Sequence, residues 1–267
     1  MAEVFGIDVS HHNGKIFWDQ VARHKQFAIM KAQYEAASHN IDETFEYNYA
    51  EAGKYGLARG VYIYIARASV ADPVADATAL IKKLKGRPLE YGIWLDLEDK
   101  SIQYLGKEGI ERLSYIYANL FRASGYYVGI YCNKDWYDRL ISDKLKQNFD
   151  FWIARYPRDD KGVYNPTSSL KPANIGVAWQ YSSKGNVPGI KSRVDLNVDF
   201  DGVVNLMANQ DGTAYRKSNR EIALEVLDNK WGTASTTPTR EEMLTAAGYN
   251  YEEIRKIVNQ LYHSKAR

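Results

Sequence analysis

Short apolar runs alternate with amphipathic segments over the first 200 residues of the chain. Several of the runs are apolar at nearly every position, which is typical of parallel strands that are covered on both faces. The pattern predicts eight strands, at Val4–Val9, Phe27–Ala32, Gly60–Ile65, Tyr91–Leu97, Tyr126–Cys132, Phe151–Ala154, Val177–Tyr181 and Val194–Phe200.

Helical patterns separate the early strands. Asp72 and Pro73 combine an N-cap residue with proline at the first helical position, and this helix is expected to end at Gly86. An apolar stripe from Ile110 to Phe121 and the segment Lys134–Gln147 predict two further helices. The last three strands are separated by segments rich in Gly, Pro, Ser and Asn. The alternation therefore predicts an α/β protein with a TIM-like (β/α) barrel whose second half is irregular.

The composition changes near residue 208, where Asn209–Thr213 resembles a linker. Three short helices are predicted beyond it, at Arg220–Asp228, Arg240–Ala247 and Tyr251–Tyr262. We expect a barrel domain over 1–208, a linker over 209–218 and a small all-α domain over 219–267. The apolar core of this tail is predicted to be Ile222, Val226, Leu244, Ile254, Val258 and Leu261.

Charge and composition exclude some classes of function. With a net charge of only +2, the protein lacks the basic surface that is typical of nucleic-acid-binding proteins. No apolar stretch approaches the roughly 18 residues that span a bilayer, so we expect no membrane insertion. The N-terminus has no charged leader before an apolar stretch, and we expect cytoplasmic synthesis without a signal peptide. The 21 tyrosines and 6 tryptophans favour a carbohydrate ligand, since such rings stack on sugars and hydrogen-bond to hydroxyls.

Barrel enzymes carry their reacting groups at the C-terminal ends of the strands. Because these ends meet at one mouth, carboxylates from the first, fourth and last strands are expected to converge there. The polar and aromatic residues near the predicted strand ends are Asp8, Tyr62, Tyr64, Asp96, Glu98, Tyr131, Trp179, Gln180, Asp195 and Asp199.

The sharpest local motif is Asp96-Leu97-Glu98. Residues two apart in a strand point to the same face, and their Cα atoms lie about 6.6 Å apart. Two neighbouring carboxylates do not ionise independently, so one of them can remain protonated near neutral pH and serve as a general acid. Glycoside hydrolysis uses such a pair. The alternative is that both carboxylates are ion-paired or solvated at a strand end.

Five ordered motifs across about residues 4–205 resemble glycoside hydrolase family 25 lysozymes. The first is Phe5-Gly6-Ile7-Asp8-Val9-Ser10 with Asn13-Gly14. The others are Gly60-Val61-Tyr62-Ile63-Tyr64, Asp96-Leu97-Glu98, Ala178-Trp179-Gln180-Tyr181 and Val194-Asp195-Leu196-Asn197. The chain departs from the family after the third strand, where Tyr64-Ile65-Ala66-Arg67 replaces a region that often holds His or Phe. This departure affects one sugar subsite and leaves the carboxylates in place.

The resemblance implies an N-acetylmuramidase that cleaves the β-1,4 bond between N-acetylmuramic acid and N-acetylglucosamine. It implies Glu98 as the general acid, Asp96 as the group that stabilises the transition state, and Asp8 and Asp195 as the remaining acidic groups. Asp199 is a second candidate for the last carboxylate. The residues expected to line the sugar groove are Tyr62, Tyr64, Tyr131, Trp179 and Gln180. The carboxylate spacing leaves the stereochemical outcome open, and we favour a route in which the acetamido group of the substrate is the nucleophile.

The tail resembles the CW-seven helical cell-wall-binding repeat found C-terminal to some phage lysozymes. The similarity lies in Ile222-Ala223, Glu225-Val226, Lys230-Trp231-Gly232, Arg240, Leu244, Ala247-Gly248-Tyr249 and Val258-Asn259. It implies binding to peptidoglycan, for which we expect Trp231, Arg240 and Tyr249 to matter.

The leading hypothesis is a phage endolysin that is made in the host cytoplasm and acts on the bacterial wall after release. We expect no cofactor and no metal, since His11 and His12 are adjacent loop residues without the spacing of a zinc site. The alternatives are a chitinase-like glycosidase and a catalytically silent wall-binding protein. The oligomeric state is left open by the sequence.

Overall fold

The computed structural model describes residues 3–33, 39–84, 86–200 and 217–265. Within these ranges, eight strands close into a barrel in chain order, which confirms the predicted fold class. The first and sixth strands have the predicted bounds, and the other six differ by a few residues. The strands are β1 (Val4–Val9), β2 (Phe27–Gln33), β3 (Ala58–Tyr64), β4 (Ile93–Asp96), β5 (Val128–Asn133), β6 (Phe151–Ala154), β7 (Ala178–Gly185) and β8 (Val194–Asp199).

The last strand runs against the others. Consecutive strands from β1 to β7 pair parallel, whereas β8 pairs antiparallel with both β7 and β1. Only the residues 186–193 connect β7 to β8, and a parallel crossover needs a dozen residues or more. The mouth of the barrel, formed by the C-terminal ends of β1 to β7, therefore also receives the N-terminal end of β8.

Helices cover the outside of the barrel. The predicted helix over Lys134–Gln147 is wrong as a single element, because Leu140 and Ile141 separate two shorter helices. Ser142 caps the second, and its hydroxyl accepts a hydrogen bond from the Leu145 N–H at 3.2 Å. The barrel helices are α1 (Trp18–Val21), α2 (Phe45–Lys54), α3 (Arg67–Ala71), α4 (Pro73–Leu84), α5 (Gly106–Ala123), α6 (Lys134–Arg139) and α7 (Asp143–Asn148).

Two apolar cores follow from the alternation of side chains along the strands. On β2, Phe27 and Ile29 belong to a core inside the barrel, together with Tyr91, Trp94 and Trp152. Their neighbours Ala28 and Met30 belong to the shell between the barrel and its helices. The next inward position on β2 after Phe27 and Ile29 is Lys31, which places a cation beside the mouth.

The tail folds as three helices, α8 (Asn219–Leu227), α9 (Arg240–Ala246) and α10 (Tyr251–Lys265), close to the predicted bounds. Of its predicted core, Ile222, Val226, Leu244 and Ile254 are buried, while Val258 and Leu261 are partly buried. The predicted domain boundary near 208 and most of the predicted linker lie outside the described residues.

The tail packs against the barrel. Helix α9 contacts α4 and α5. The side-chain amide of Asn119 on α5 donates to the Lys230 carbonyl at 2.7 Å. In the part of the chain that the structure describes, no helix has the length and apolar character needed to cross a membrane.

Candidate active site

Asp96 and Glu98 lie where β4 ends at the mouth. Asp96 follows Trp94 on the inward face of the strand and is 4% exposed. Its Oδ1 atom is buried and accepts no hydrogen bond from any described residue. Burial raises the pKa of Asp96 well above its usual range, and the nearby charge of Glu98 raises it further. Asp96 is therefore a buried acceptor that lacks a donor within the described protein.

Glu98 is less enclosed and faces Tyr131. The Tyr131 hydroxyl lies 3.4 Å from Glu98 Oε2 and 2.8 Å from Gln180 Oε1, so it can donate to either. Burial raises the pKa of Glu98 above its ordinary value, although the hydrogen bond from Tyr131 opposes that effect. A carboxyl with a raised pKa holds its proton nearer to neutral pH, which a general acid requires.

Asp8 and Asp195 are direct partners across the β1–β8 ladder. Asp8 is 7% exposed, and its Oδ2 accepts from both Gln180 Nε2 and Asn197 Nδ2 at 2.8 Å. Burial raises the pKa of Asp8 to about 6 against the effect of these two hydrogen bonds. Burial and the neighbouring Asp8 raise the pKa of Asp195 to about 8. The antiparallel course of β8 brings Asp195 to the mouth because the strand begins there.

The four carboxylates line one cleft of about 170 Å³ together with aromatic and amide side chains. The hydroxyls of Tyr131 and Tyr156 both bond to Gln180 Oε1, which fixes the amide that holds Asp8. Burial raises the pKa of Tyr62, Tyr131 and Tyr156, so these hydroxyls stay neutral donors. The other lining residues are Tyr62, Tyr131, Trp152, Tyr156 and Gln180.

Two predicted groove residues lie elsewhere. Asp199 pairs with Val4 and Ala178, at the opposite end of the barrel from the mouth. Its assignment to the groove is wrong because β8 is antiparallel. Trp179 points outward, since its neighbour Gln180 points inward. Its indole donates to the Arg155 carbonyl at 2.8 Å and only 2% of the residue is exposed, so its assignment to the groove is also wrong.

Tyr64 lies at the rim instead of lining the cleft. It pairs with Asp96 across the β3–β4 ladder, and its hydroxyl donates to Asp99 Oδ2 at 2.8 Å. The Lys31 ammonium lies 4.9 Å from the centre of the Tyr64 ring. The positive charge of Lys31 lowers the pKa of both Asp96 and Glu98, which partly offsets their burial.

Several residues of the site were not predicted from the sequence. Lys31 could have been found, because it continues the inward alternation of β2. Trp152 and Asn197 occupy inward positions on β6 and β8, and the Trp152 indole donates to Asn197 Oδ1 at 2.8 Å. Tyr156 follows β6 in an irregular loop, where no sequence pattern indicates the direction of a side chain.

The three tail residues singled out from the sequence are engaged within the tail. The guanidinium of Arg240 donates to the Gly232 carbonyl at 2.6 and 3.0 Å. The Trp231 indole donates to Glu225 Oε2 at 3.0 Å, and its ring meets that of Tyr249 edge-on. Trp231 and Tyr249 also line a cleft between the tail and the barrel.

Comparisons with known proteins agree with this architecture. The sequence profile of the CW_7 repeat matches residues 220–262. The uncharacterized protein YegX of Escherichia coli O157:H7 is 29% identical over 208 residues, which cover 74% of this chain and 70% of that protein. Lysozyme M1 of Streptomyces globisporus is 27% identical over 224 residues, covering 79% and 72% of the two chains.

A similar solved structure is that of the bacterial lysozyme from Streptomyces coelicolor. It superposes with a TM-score of 0.57 at 25% identity and covers 80% of this chain and all of that chain. The profile described as glycosyl hydrolases family 25 matches residues 7–190, which include the first three of the four carboxylates. A mouth lined by paired carboxylates in a closed barrel, together with this match over more than half of the sequence, establishes that the chain belongs to the glycosyl hydrolases of family 25 and carries a C-terminal CW_7 repeat.

Proposed function

We propose that the protein is a lysozyme that hydrolyses the β-1,4 bond between N-acetylmuramic acid and N-acetylglucosamine in peptidoglycan. The observation that carries this proposal is the cleft in which Asp8, Asp96, Glu98 and Asp195 meet at the barrel mouth. The names of two similar proteins, both lysozymes, support the same substrate. The CW_7 repeat supports a site of action at the bacterial wall.

Glu98 is assigned as the general acid. The raised pKa keeps the Glu98 carboxyl protonated nearer to neutral pH. Glu98 gives this proton to the glycosidic oxygen while the bond from that oxygen to the anomeric carbon breaks, so the leaving sugar departs as a neutral alcohol. General acid catalysis of this kind contributes roughly 10²- to 10⁴-fold in rate. The Glu98 carboxylate left behind then removes a proton from the water that completes hydrolysis.

Asp96 is assigned to the acetamido group of the substrate. The buried Oδ1 without a donor would accept the acetamido N–H, which orients the acetamido carbonyl oxygen for attack on the anomeric carbon. The bond between the acetamido oxygen and the anomeric carbon forms as the glycosidic bond breaks. Water then attacks the anomeric carbon and displaces the acetamido oxygen. Two displacements at the same carbon retain its configuration.

The remaining residues position the sugar. Asp8 and Asp195 complete the acidic side of the cleft, and Gln180 holds Asp8 in place. Tyr62 and Tyr131 offer neutral hydroxyls and ring faces to the substrate.

The test combines two variants with one spectrum. Glu98→Gln should abolish release of new reducing ends, whereas Asp99→Asn, which removes the neighbouring carboxylate at the rim, should leave most of the activity. Proton NMR of the first product should show the β anomer. An initial α anomer would exclude the acetamido route, and an active Glu98→Gln variant would exclude the assignment of the acid.

Two alternatives remain testable. A chitinase-like glycosidase would cleave chitin oligomers as fast as peptidoglycan, and a silent wall-binding protein would cleave neither. The role in phage lysis stays a prediction, as do the boundaries 1–208, 209–218 and 219–267.

A further inference from the structure

A chain of hydrogen bonds links Glu98 to Asp8 across the cleft. The Tyr131 hydroxyl lies 2.8 Å from Gln180 Oε1 and 3.4 Å from Glu98 Oε2. On its other side, Gln180 donates through Nε2 to Asp8 at 2.8 Å. The hydroxyl of Tyr156 also donates to Gln180 Oε1. The Gln180 oxygen therefore has two hydroxyl donors, and one of them also reaches the carboxyl assigned as the general acid.

The Tyr131 hydroxyl has a single proton, so it donates to one acceptor at a time. A protonated Glu98 does not need this donor. An ionised Glu98 in a cleft closed by substrate does, because a charge removed from water is costly unless it is hydrogen-bonded. Hydrogen bonds to charged groups are also stronger than those to neutral groups. Since the Gln180 amide is neutral, the preferred acceptor of Tyr131 depends on the charge of Glu98.

The Gln180 amide can lose the Tyr131 donor without losing its position. A carbonyl oxygen has two lone pairs, and Tyr156 still occupies one of them. This matters because Gln180 is only 2% exposed, and a buried amide oxygen without any donor is costly. The Tyr131 ring packs against Trp152 with the ring centroids 4.4 Å apart. The change of acceptor therefore needs only a rotation of the hydroxyl and a small shift toward Glu98.

The charged surroundings of Glu98 also affect its ionisation. Lys31 lowers the pKa of Glu98 and Asp99 raises it, and the hydrogen bond from Tyr131 lowers it. The titratable groups that face Glu98 from the surrounding elements, besides the two tyrosines, are Asp8 of β1, Lys31 of β2, Tyr64 of β3, Asp96 of β4, Asp195 of β8 and the adjacent Asp99. Removing the Tyr131 hydroxyl leaves all of these groups in place, so its effect on Glu98 can be measured separately.

We propose that Tyr131 is a positioning residue whose hydroxyl changes its acceptor with the charge of Glu98. It donates to Gln180 while Glu98 is protonated, and it turns to Glu98 as that carboxyl passes its proton to the glycosidic oxygen. This inference rests on the proposed function, which makes Glu98 the acid. The donor stabilises the carboxylate where negative charge develops. It returns to Gln180 when Glu98 takes a proton from the attacking water. Tyr156 holds Gln180, and through it Asp8, during the exchange.

The experiment measures the pKa of Glu98 in the full chain without substrate, from the carboxyl ¹³C resonance that is missing in Glu98→Gln. Tyr131→Phe keeps the ring and removes the donor, so the pKa should rise by about one to two pH units, the range for a hydrogen bond to a charged group. Tyr156→Phe should also raise it, by no more than Tyr131→Phe does, because Gln180 then loses its last donor when Tyr131 turns away. In the double variant the Tyr156 change should add nothing. The alkaline limb of the pH–rate profile should move in the same direction as the pKa.

The matched control is Tyr127→Phe, which removes a hydroxyl donor from Asp150 outside the cleft and should leave the pKa of Glu98 unchanged. An unchanged pKa in Tyr131→Phe would overturn the proposal, because the hydroxyl would then stay on Gln180. A pKa raised by Tyr131→Phe and not by Tyr156→Phe would also overturn it, since Tyr131 would then be a fixed donor to Glu98.

If Tyr131→Phe does not fold, Tyr156→Phe decides by the same criterion, because Tyr156 is 38% exposed and its hydroxyl can be removed without disturbing the core. The titration uses no substrate, so it and the release of reducing ends report on the two proposals separately. Wild-type protein that releases no reducing ends would refute the proposed function, whereas an unchanged pKa in both variants would refute the change of acceptor alone.

Discussion

Replacing Asp8 with asparagine tests whether burial suppresses the ionisation of this carboxyl. Both of its hydrogen bonds, from Gln180 and Asn197, end on the same Oδ2 atom. The carbonyl oxygen of an asparagine can keep both of them, while its NH₂ group replaces the other carboxylate oxygen. Asp8→Asn therefore removes the charge with little change to the surrounding contacts.

The expected magnitude follows from the pKa of Asp8. Burial raises it from 3.8 to about 6, which corresponds to about 3 kcal/mol at 1.36 kcal/mol per pH unit. Because the pKa is higher in the folded state, protonation stabilises the folded protein. That contribution is complete below the unfolded-state pKa of 3.8 and is lost as the pH rises through about 6.

Urea unfolding of wild type and variant between about pH 4 and 8 measures the effect. Asp8→Asn should have a free energy of unfolding near that of wild type at the acid end and about 3 kcal/mol higher at neutral pH, yet it should lose activity. Asp159→Asn, at a highly exposed carboxylate, serves as the control and should show no such trend. A stability difference that does not change with pH would refute the reasoning.

Three further changes probe other parts of the structure. Lys31→Met should move the alkaline limb of the pH–rate profile to higher pH, since loss of the cation raises the pKa of Glu98, whereas Lys31→Arg should restore it. Trp179→Phe should lower the free energy of unfolding by about 1–3 kcal/mol with KM unchanged; a raised KM at unchanged stability would place Trp179 in the groove after all. Cys132 should react with thiol reagents only after unfolding, because it is fully buried and burial raises the pKa of its thiol; rapid labelling of the folded protein would contradict this.

The hydrophobic pattern was sufficient to predict the barrel, because parallel strands buried on both faces leave continuous apolar runs. The pattern did not indicate the direction of β8, and this led to an error in the prediction of the site residues. A parallel β8 would place its last residue, Asp199, at the mouth, whereas the antiparallel strand places Asp195 there. The connection over 186–193 is too short for a parallel crossover, so it indicates the antiparallel direction of β8 and hence which aspartate lies at the mouth.

Side-chain direction limited the prediction of the site. Asp96 and Glu98 were recognised because a spacing of two puts them on one face of a strand. The same rule, applied to Trp179 and Gln180, allows only one of them to point inward. The inward residue is Gln180, whose amide donates to Asp8. Contacts between distant segments, such as Tyr156 with Gln180 and Asn119 with Lys230, leave no periodic trace in the sequence.

The most direct test of the proposed activity is mass spectrometry of the reducing ends that the wild-type protein releases from purified peptidoglycan. Muramic acid at the new ends, absent with Glu98→Gln, is the result that the four-carboxylate cleft predicts. Glucosamine at those ends, or no new ends in the wild-type digest, would contradict the account.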